Sequence, residues 1–131
     1  MIPKFRAWLK NDKEMIEVDE IHFYNGKLDF IGDGITFMRK ADEIELMRST
    51  CLFDKNGKEI FEGDVVQYQN TKVPSADTKG VVKYFDNWAM FGIDVEYNEP
   101  RALFFNGLAD HISLEVIGNI YESPELLEEE K

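Results

Sequence analysis

The chain has 131 residues, which suits one ordinary domain and falls short of two full-sized ones. Apolar residues make up 44% and aromatics 13%, too rich for intrinsic disorder, and no apolar run approaches the roughly 18 residues that a membrane helix needs. Fifteen basic residues against twenty-six acidic ones give a net charge of −11, so most of the surface repels phosphate backbones and generic nucleic-acid binding is disfavoured.

The opening, Met1-Ile2-Pro3-Lys4-Phe5-Arg6-Ala7-Trp8, holds no apolar segment of the signal-peptide kind, so a cytoplasmic protein is expected. Lys4, Arg6 and Lys10 precede any acid and form the best candidate for a local basic patch, with solvated strand faces as the plainer reading. Ile21-His22-Phe23 and Leu28-Asp29-Phe30-Ile31 flank Asn25-Gly26. That pair supplies the two positive-φ residues of a type I′ turn and predicts a hairpin. Over residues 40–48, Ile44 and Leu46 alternate with Glu45, which favours a strand. Asn56-Gly57 repeats the turn chemistry between Leu52-Phe53 and Glu59-Ile60-Phe61. At Gly63-Asp64 a positive-φ glycine stands beside a carboxylate able to accept from nearby amides, and Val65-Val66-Gln67-Tyr68 then starts a strand.

Residues 71–79 contain Pro74 and small polar residues and read as the one clear long loop. A hairpin is expected over residues 80–97, turning at Asp86-Asn87, with Phe91, Ile93, Val95 and Tyr97 on its buried face and Gly92, Asp94 and Glu96 on its solvated face. Trp88 lies at that turn. It is a candidate partner anchor, although most Trp side chains fold back onto the core, the commoner fate expected here. Asn106-Gly107 is a weaker turn signal. Residues 114–121 form a further strand, where Gly118 signals a bulge or a close backbone approach. Ser123-Pro124-Glu125 has the cap, the proline and the early acid of a short helix, which leads into the acidic end Glu128, Glu129 and Glu130.

No catalytic residue is proposed by the sequence. His22 and His111 have no partner at ligand spacing, no phosphate-loop or nucleophile-elbow motif occurs, and no metal or cofactor is expected. Cys51 is the only cysteine, in an apolar strand-like setting, and is expected to be a small buried hydrophobe.

Three segments resemble the YopX family of small phage and prophage proteins of Gram-positive bacteria: Lys4-Phe5-Arg6-Ala7-Trp8, the central residues 52–66, and the closing residues 115–127. The resemblance implies an N-terminal β-rich part (residues 1–50) followed by an SH3-like small barrel (51–122); with the short acidic helix or tail read from the residues (123–131), a mainly β fold is expected within one unit spanning residues 1–131. It brings no catalytic residues. It departs at Cys51, where the family usually has Gly, which puts a strictly positive-φ backbone there in doubt.

The expected function is a non-enzymatic accessory protein that binds a host or phage protein through a barrel face, a sheet edge or loop 71–79. Trp88, Lys4 and Arg6 are the candidate contacts. The alternatives are a nucleic-acid-associated module and an acidic mimic of DNA. Self-pairing through sheet edges is a further expectation; a membrane partner is not expected.

Overall fold

The computed structural model describes residues 4–96, 99–103 and 110–127. Tyr97, the Asn106-Gly107 turn and the acids Glu128, Glu129 and Glu130 lie outside the described residues. The chain divides into two compact units, Met1–Ser49 and Thr50–Lys131. The fold is mainly β, built from antiparallel sheets with only short 3-10 turns among the described residues.

The first unit contains β1 (Phe5–Leu9), β2 (Glu14–Val18), β3 (Ile21–Tyr24), β4 (Lys27–Ile31), β5 (Arg39–Lys40) and the first half of β6 (Ile44–Phe53). β1 is central, antiparallel to β2 on one side and β6 on the other, so Ala7 faces both Ile16 and Leu46. β3, β4 and β5 make a separate three-stranded sheet. At the β3–β4 turn Asn25 has φ 50 and Gly26 φ 77, the pair of positive values a type I′ turn needs. Ala7, Leu9, Ile31 and Ile44 form the buried core, with Ile16, Val18 and Phe37 packed against it. The strand expected over residues 40–48 begins only at Ile44. Ala41–Glu43 form a 3-10 turn, because the Glu43 carboxylate accepts from the Lys40 N–H at 2.9 Å and folds the chain back.

The second unit contains the end of β6, then β7 (Glu59–Phe61), β8 (Asp64–Asn70), β9 (Thr78–Phe85), β10 (Met90–Glu96), β11 (Glu99–Leu103) and β12 (Ile112–Asn119). Its five-stranded sheet runs β11-β10-β9-β8-β12: a meander of four consecutive strands, with β12 returned to pair with β8. Ile60, Val66, Tyr68, Val82, Ile93 and Leu114 form its core. Val66 and Tyr68 reach that core because they are two apart on one strand. Gly80 is required by closeness: a Cβ there would lie 2.6 Å from Ile93 Cγ2 and 2.7 Å from the Asp94 carbonyl oxygen.

The turn at Gly63 bears out its sequence signal. Gly63 has φ 85, and the Asp64 carboxylate, buried at 1% exposure, accepts from the Phe61 N–H at 2.8 Å. Gly118 combines both expectations. The β8–β12 register shifts between Val116 and Gly118, and a Cβ on Gly118 would meet Leu126 Cδ1 at 2.6 Å.

Other expectations are corrected. At Asp54–Lys58 only Gly57, at φ 83, has a positive φ, so this is not a second type I′ turn. The Asp54 side chain organises it, accepting from the Asn56 and Lys58 N–H groups at 2.9 Å each. On β10 Asp94, expected on the solvated face, is buried: it is 9% exposed and pairs with Lys83 Nζ at 2.6 Å. β12 stops at Asn119 and does not reach Tyr121, because Asn119 Oδ1 takes the N–H groups of Tyr121 and Glu122 into a turn. The expected C-terminal helix is, among the described residues, a 3-10 turn over Pro124–Leu127: the Leu126 N–H donates to Ser123, three residues back.

Cys51 is exposed, not buried. It also keeps the left-handed backbone, at φ 65, that the Gly-to-Cys departure had put in doubt. An L-residue in that region costs on the order of 1 kcal/mol. Cys51→Gly should therefore raise stability by about 0.5–1 kcal/mol, less than the full strain because glycine gains freedom in the unfolded chain. Urea denaturation of the two proteins checks this; an unchanged or lowered midpoint would contradict it.

Candidate functional site

Trp88 sits in the turn that joins β9 to β10, and the turn is closed by backbone bonds. The Trp88 N–H donates to Phe85 at 3.0 Å and the Ala89 N–H to Asp86 at 3.3 Å, with Ala89 at φ 52. These bonds hold residues 86–89 away from the sheet. As a result Trp88 stays 55% exposed, against the expectation that it would fold onto the core. A shallow depression of about 340 Å³ lies beside it, lined by residues 83–88. Behind the tip, Tyr84 and Phe91 meet edge to face at 5.2 Å and stiffen the hairpin. An exposed indole is a large contact surface with only two side-chain torsions to fix on binding.

The other two candidates separate. Lys4 is exposed at the start of β1. Arg6 is buried at 9% exposure, so its guanidinium is not offered to a partner. The basic patch is correspondingly smaller than the sequence suggests. Lys10 forms an ion pair with Glu45 at 3.4 Å, which reduces it further. The sequence could not separate Lys4 from Arg6. Period two puts them on the same face of a strand, and only the tertiary fold covers one of them.

Loop 71–79 is built, not open. Asn70 Oδ1 accepts from Lys72 and Val73, and Asp77 Oδ1 accepts from the Asn70 N–H at 2.8 Å. A 3-10 turn fills Pro74–Ala76, and β9 already begins at Thr78.

Among the described residues no three His, Cys, Asp or Glu side chains gather as a metal-holding group. His22 is a structural residue of the first unit: its ring stacks on Phe30 at 4.2 Å, and Nε2 lies 3.1 Å from the Gly32 carbonyl oxygen, to which it donates.

One feature had no sequence motif. A cleft of about 200 Å³ opens in the first unit between residues 16–20 and the loop after β4. Asp33 builds that loop. Its carboxylate accepts from the Thr36 hydroxyl and from the N–H groups of Ile35, Thr36 and Phe37. The Thr36 hydroxyl first, and then the Phe37 and Ile35 amides, hold its pKa far below the usual carboxylate range. The acids Glu17, Asp19 and Glu20 around Ile16 and Val18 were the available signal, but alternation within a strand carries no mark of a cleft.

The comparisons with known proteins agree with this architecture. The family model described as YopX protein matches residues 4–128. The crystal structure of protein EF1440 from Enterococcus faecalis is similar at 31% identity and a TM-score of 0.66, covering 98% of this chain and 99% of that one. The crystal structure of protein yopX from Bacillus subtilis has the same fold at 22% identity and a TM-score of 0.64, with 98% of each chain covered. No curated protein matches. With the match running through nearly the whole length and through both units, this chain belongs to the YopX family.

Proposed function

We propose that this chain is a non-enzymatic protein-binding module, an accessory product of a phage or prophage that acts in the bacterial cytoplasm. The observation that carries the reading is Trp88, an indole 55% exposed on a hairpin tip closed by two backbone hydrogen bonds. Trp is the residue type most enriched among interface anchors. The phage setting rests on the family resemblance. So does an SH3-like closure of the second unit, to which the β8–β11 meander and the return of β12 to β8 lend support. A net charge of −11 and the burial of Arg6 weigh against the nucleic-acid alternative.

The test is affinity capture from a Gram-positive host lysate, and from phage-infected cells, using the chain and its Trp88→Ala variant. Because Trp88 is exposed, the variant should keep its stability within about 0.5 kcal/mol. Retained proteins should survive nuclease and be lost with the variant, whose affinity should fall by at least roughly 30-fold, the equivalent of about 2 kcal/mol. Capture that disappears with nuclease would favour the nucleic-acid reading, and capture indifferent to Trp88→Ala would remove Trp88 from the site.

A further inference from the structure

We propose that the outer edge of β2, with the cleft beside it, binds an extended peptide segment of a partner protein that carries Lys or Arg alternating with β-branched residues. Three observations converge on this surface, all within the first unit. First, β2 is an edge strand: β1 pairs with one side, and among the described residues no strand pairs with the other. Its outward N–H and C=O groups are a template for one more strand. Second, the cleft adjoins that edge and has an apolar floor of Ile16, Val18, Ile31 and Phe37. Third, the edge carries one sign of charge. From Glu14 to Glu20 there are four acids and no base, and Glu17, Asp19 and Glu20 are exposed at the rim.

Charge complementarity decides the occupant. A second copy of this chain pairing antiparallel through β2 would bring two sets of four carboxylates onto one seam, and like charges close across neighbouring strands are destabilising. A basic strand reverses that sign. The alternation follows from the pleat: Ile16 and Val18 lie on one face of β2 and Glu17 on the other. An added strand therefore sets every second side chain beside the apolar floor and the intervening ones toward carboxylate. Asp33 takes no part, since its oxygens are occupied by its own loop. The surface is distinct from the Trp88 tip, and Trp88→Ala leaves it intact.

The test is selection of a random peptide library on the immobilised full chain, followed by titration of the enriched peptides into the isotope-labelled protein. Enriched sequences should alternate Lys or Arg with Val, Ile or Thr. Their amide shifts should map to Glu14–Glu20 and Gly32–Phe37. Binding should weaken as salt rises from about 50 to about 500 mM. The double variant Glu17→Lys with Glu20→Lys, at exposed positions and with its fold confirmed by an unchanged spectrum elsewhere, should bind at least roughly tenfold more weakly. Trp88→Ala should bind as well as the parent. Failure to enrich any peptide, enrichment without basic residues, shifts that map elsewhere, or affinity indifferent to the double variant would each overturn the proposal. So would dimerisation through β2, or full competition by spermidine at the same amides, which would assign the cleft to a second copy or to a small cation.

Discussion

Asp54→Ala is expected to lower stability by about 2–4 kcal/mol, the range for removing a buried charged acceptor from several donors. Asp54 is 8% exposed. Its Oδ1 accepts from Asn56 and Lys58, and its Oδ2 from the Val116 N–H at 2.9 Å, 62 positions along the chain. One side chain thus shapes the turn before β7 and fastens it to β12. Alanine leaves three partly buried N–H groups with no acceptor. Asn keeps one acceptor oxygen, so Asp54→Asn should cost about half as much. The pH dependence separates charge from shape. Burial pushes the Asp54 pKa up, but the Val116, Lys58 and Asn56 amides and the nearby Lys58 charge outweigh it and hold it below the ordinary 3.8. A carboxyl with a lowered folded-state pKa contributes stability in full above its unfolded value. That contribution is lost as pH falls through the folded value. The stability gap between the parent and Asp54→Asn should therefore be constant from neutrality down to about pH 5 and narrow below about pH 4. Urea midpoints across that range provide the measurement; a gap that stays constant to pH 3 would show that charge plays no part.

Gly32→Ala is expected to be at least as damaging, at about 3 kcal/mol, because it combines a strained backbone with a backbone clash. Gly32 has φ +97, and its added Cβ would lie 2.3 Å from the Phe37 carbonyl oxygen and 2.9 Å from the carbonyl carbon. The obstacle is main chain, so no side-chain rotation relieves it. Two bonds depend on the present geometry: the Gly32 N–H to Glu20 at 3.0 Å and the Gly34 N–H to Phe37 at 3.1 Å. Gly26→Ala is the internal control. It has φ +77 but nothing within 4 Å of the added Cβ, so it should cost only about 1 kcal/mol. Equal losses for the two variants in urea titrations would show that strain alone, and not contact with Phe37, sets the effect at residue 32. The same loop walls the cleft beside β2, so Gly32→Ala should also abolish peptide binding there.

Much of the fold was legible because strands and tight turns are local physics. Asn25-Gly26 specified its turn through two residues that tolerate positive φ, and the structure has both. Gly63-Asp64 specified its turn through a glycine and a short acceptor. Gly118 announced a bulge or a close approach, because a strand interior uses a residue without Cβ for these, and the structure has both. Asn56-Gly57 misled for an equally local reason. The dipeptide was recognised, but the carboxylate two residues earlier was not, and Asp54 chose a different turn by accepting from the chain that follows it.

The candidate sites were less legible, since exposure is a property of neighbours. Lys4 and Arg6 are alike in sequence and opposite in burial. Trp88 and Cys51 were both expected inward and both face solvent: one is lifted by a closed four-residue turn, the other sits at a left-handed kink in β6. Asp94 reads as a solvent-facing residue by period two, yet it is buried against Lys83. The sequence by itself determined the β class, the turn positions, the family and the sign of the charge, because periodicity, backbone preference and formal charge are written residue by residue. The tertiary structure alone decided that Trp88 is presented, that Arg6 is covered and where the acidic edge meets an apolar cleft, because burial is set by strands that meet across dozens of positions.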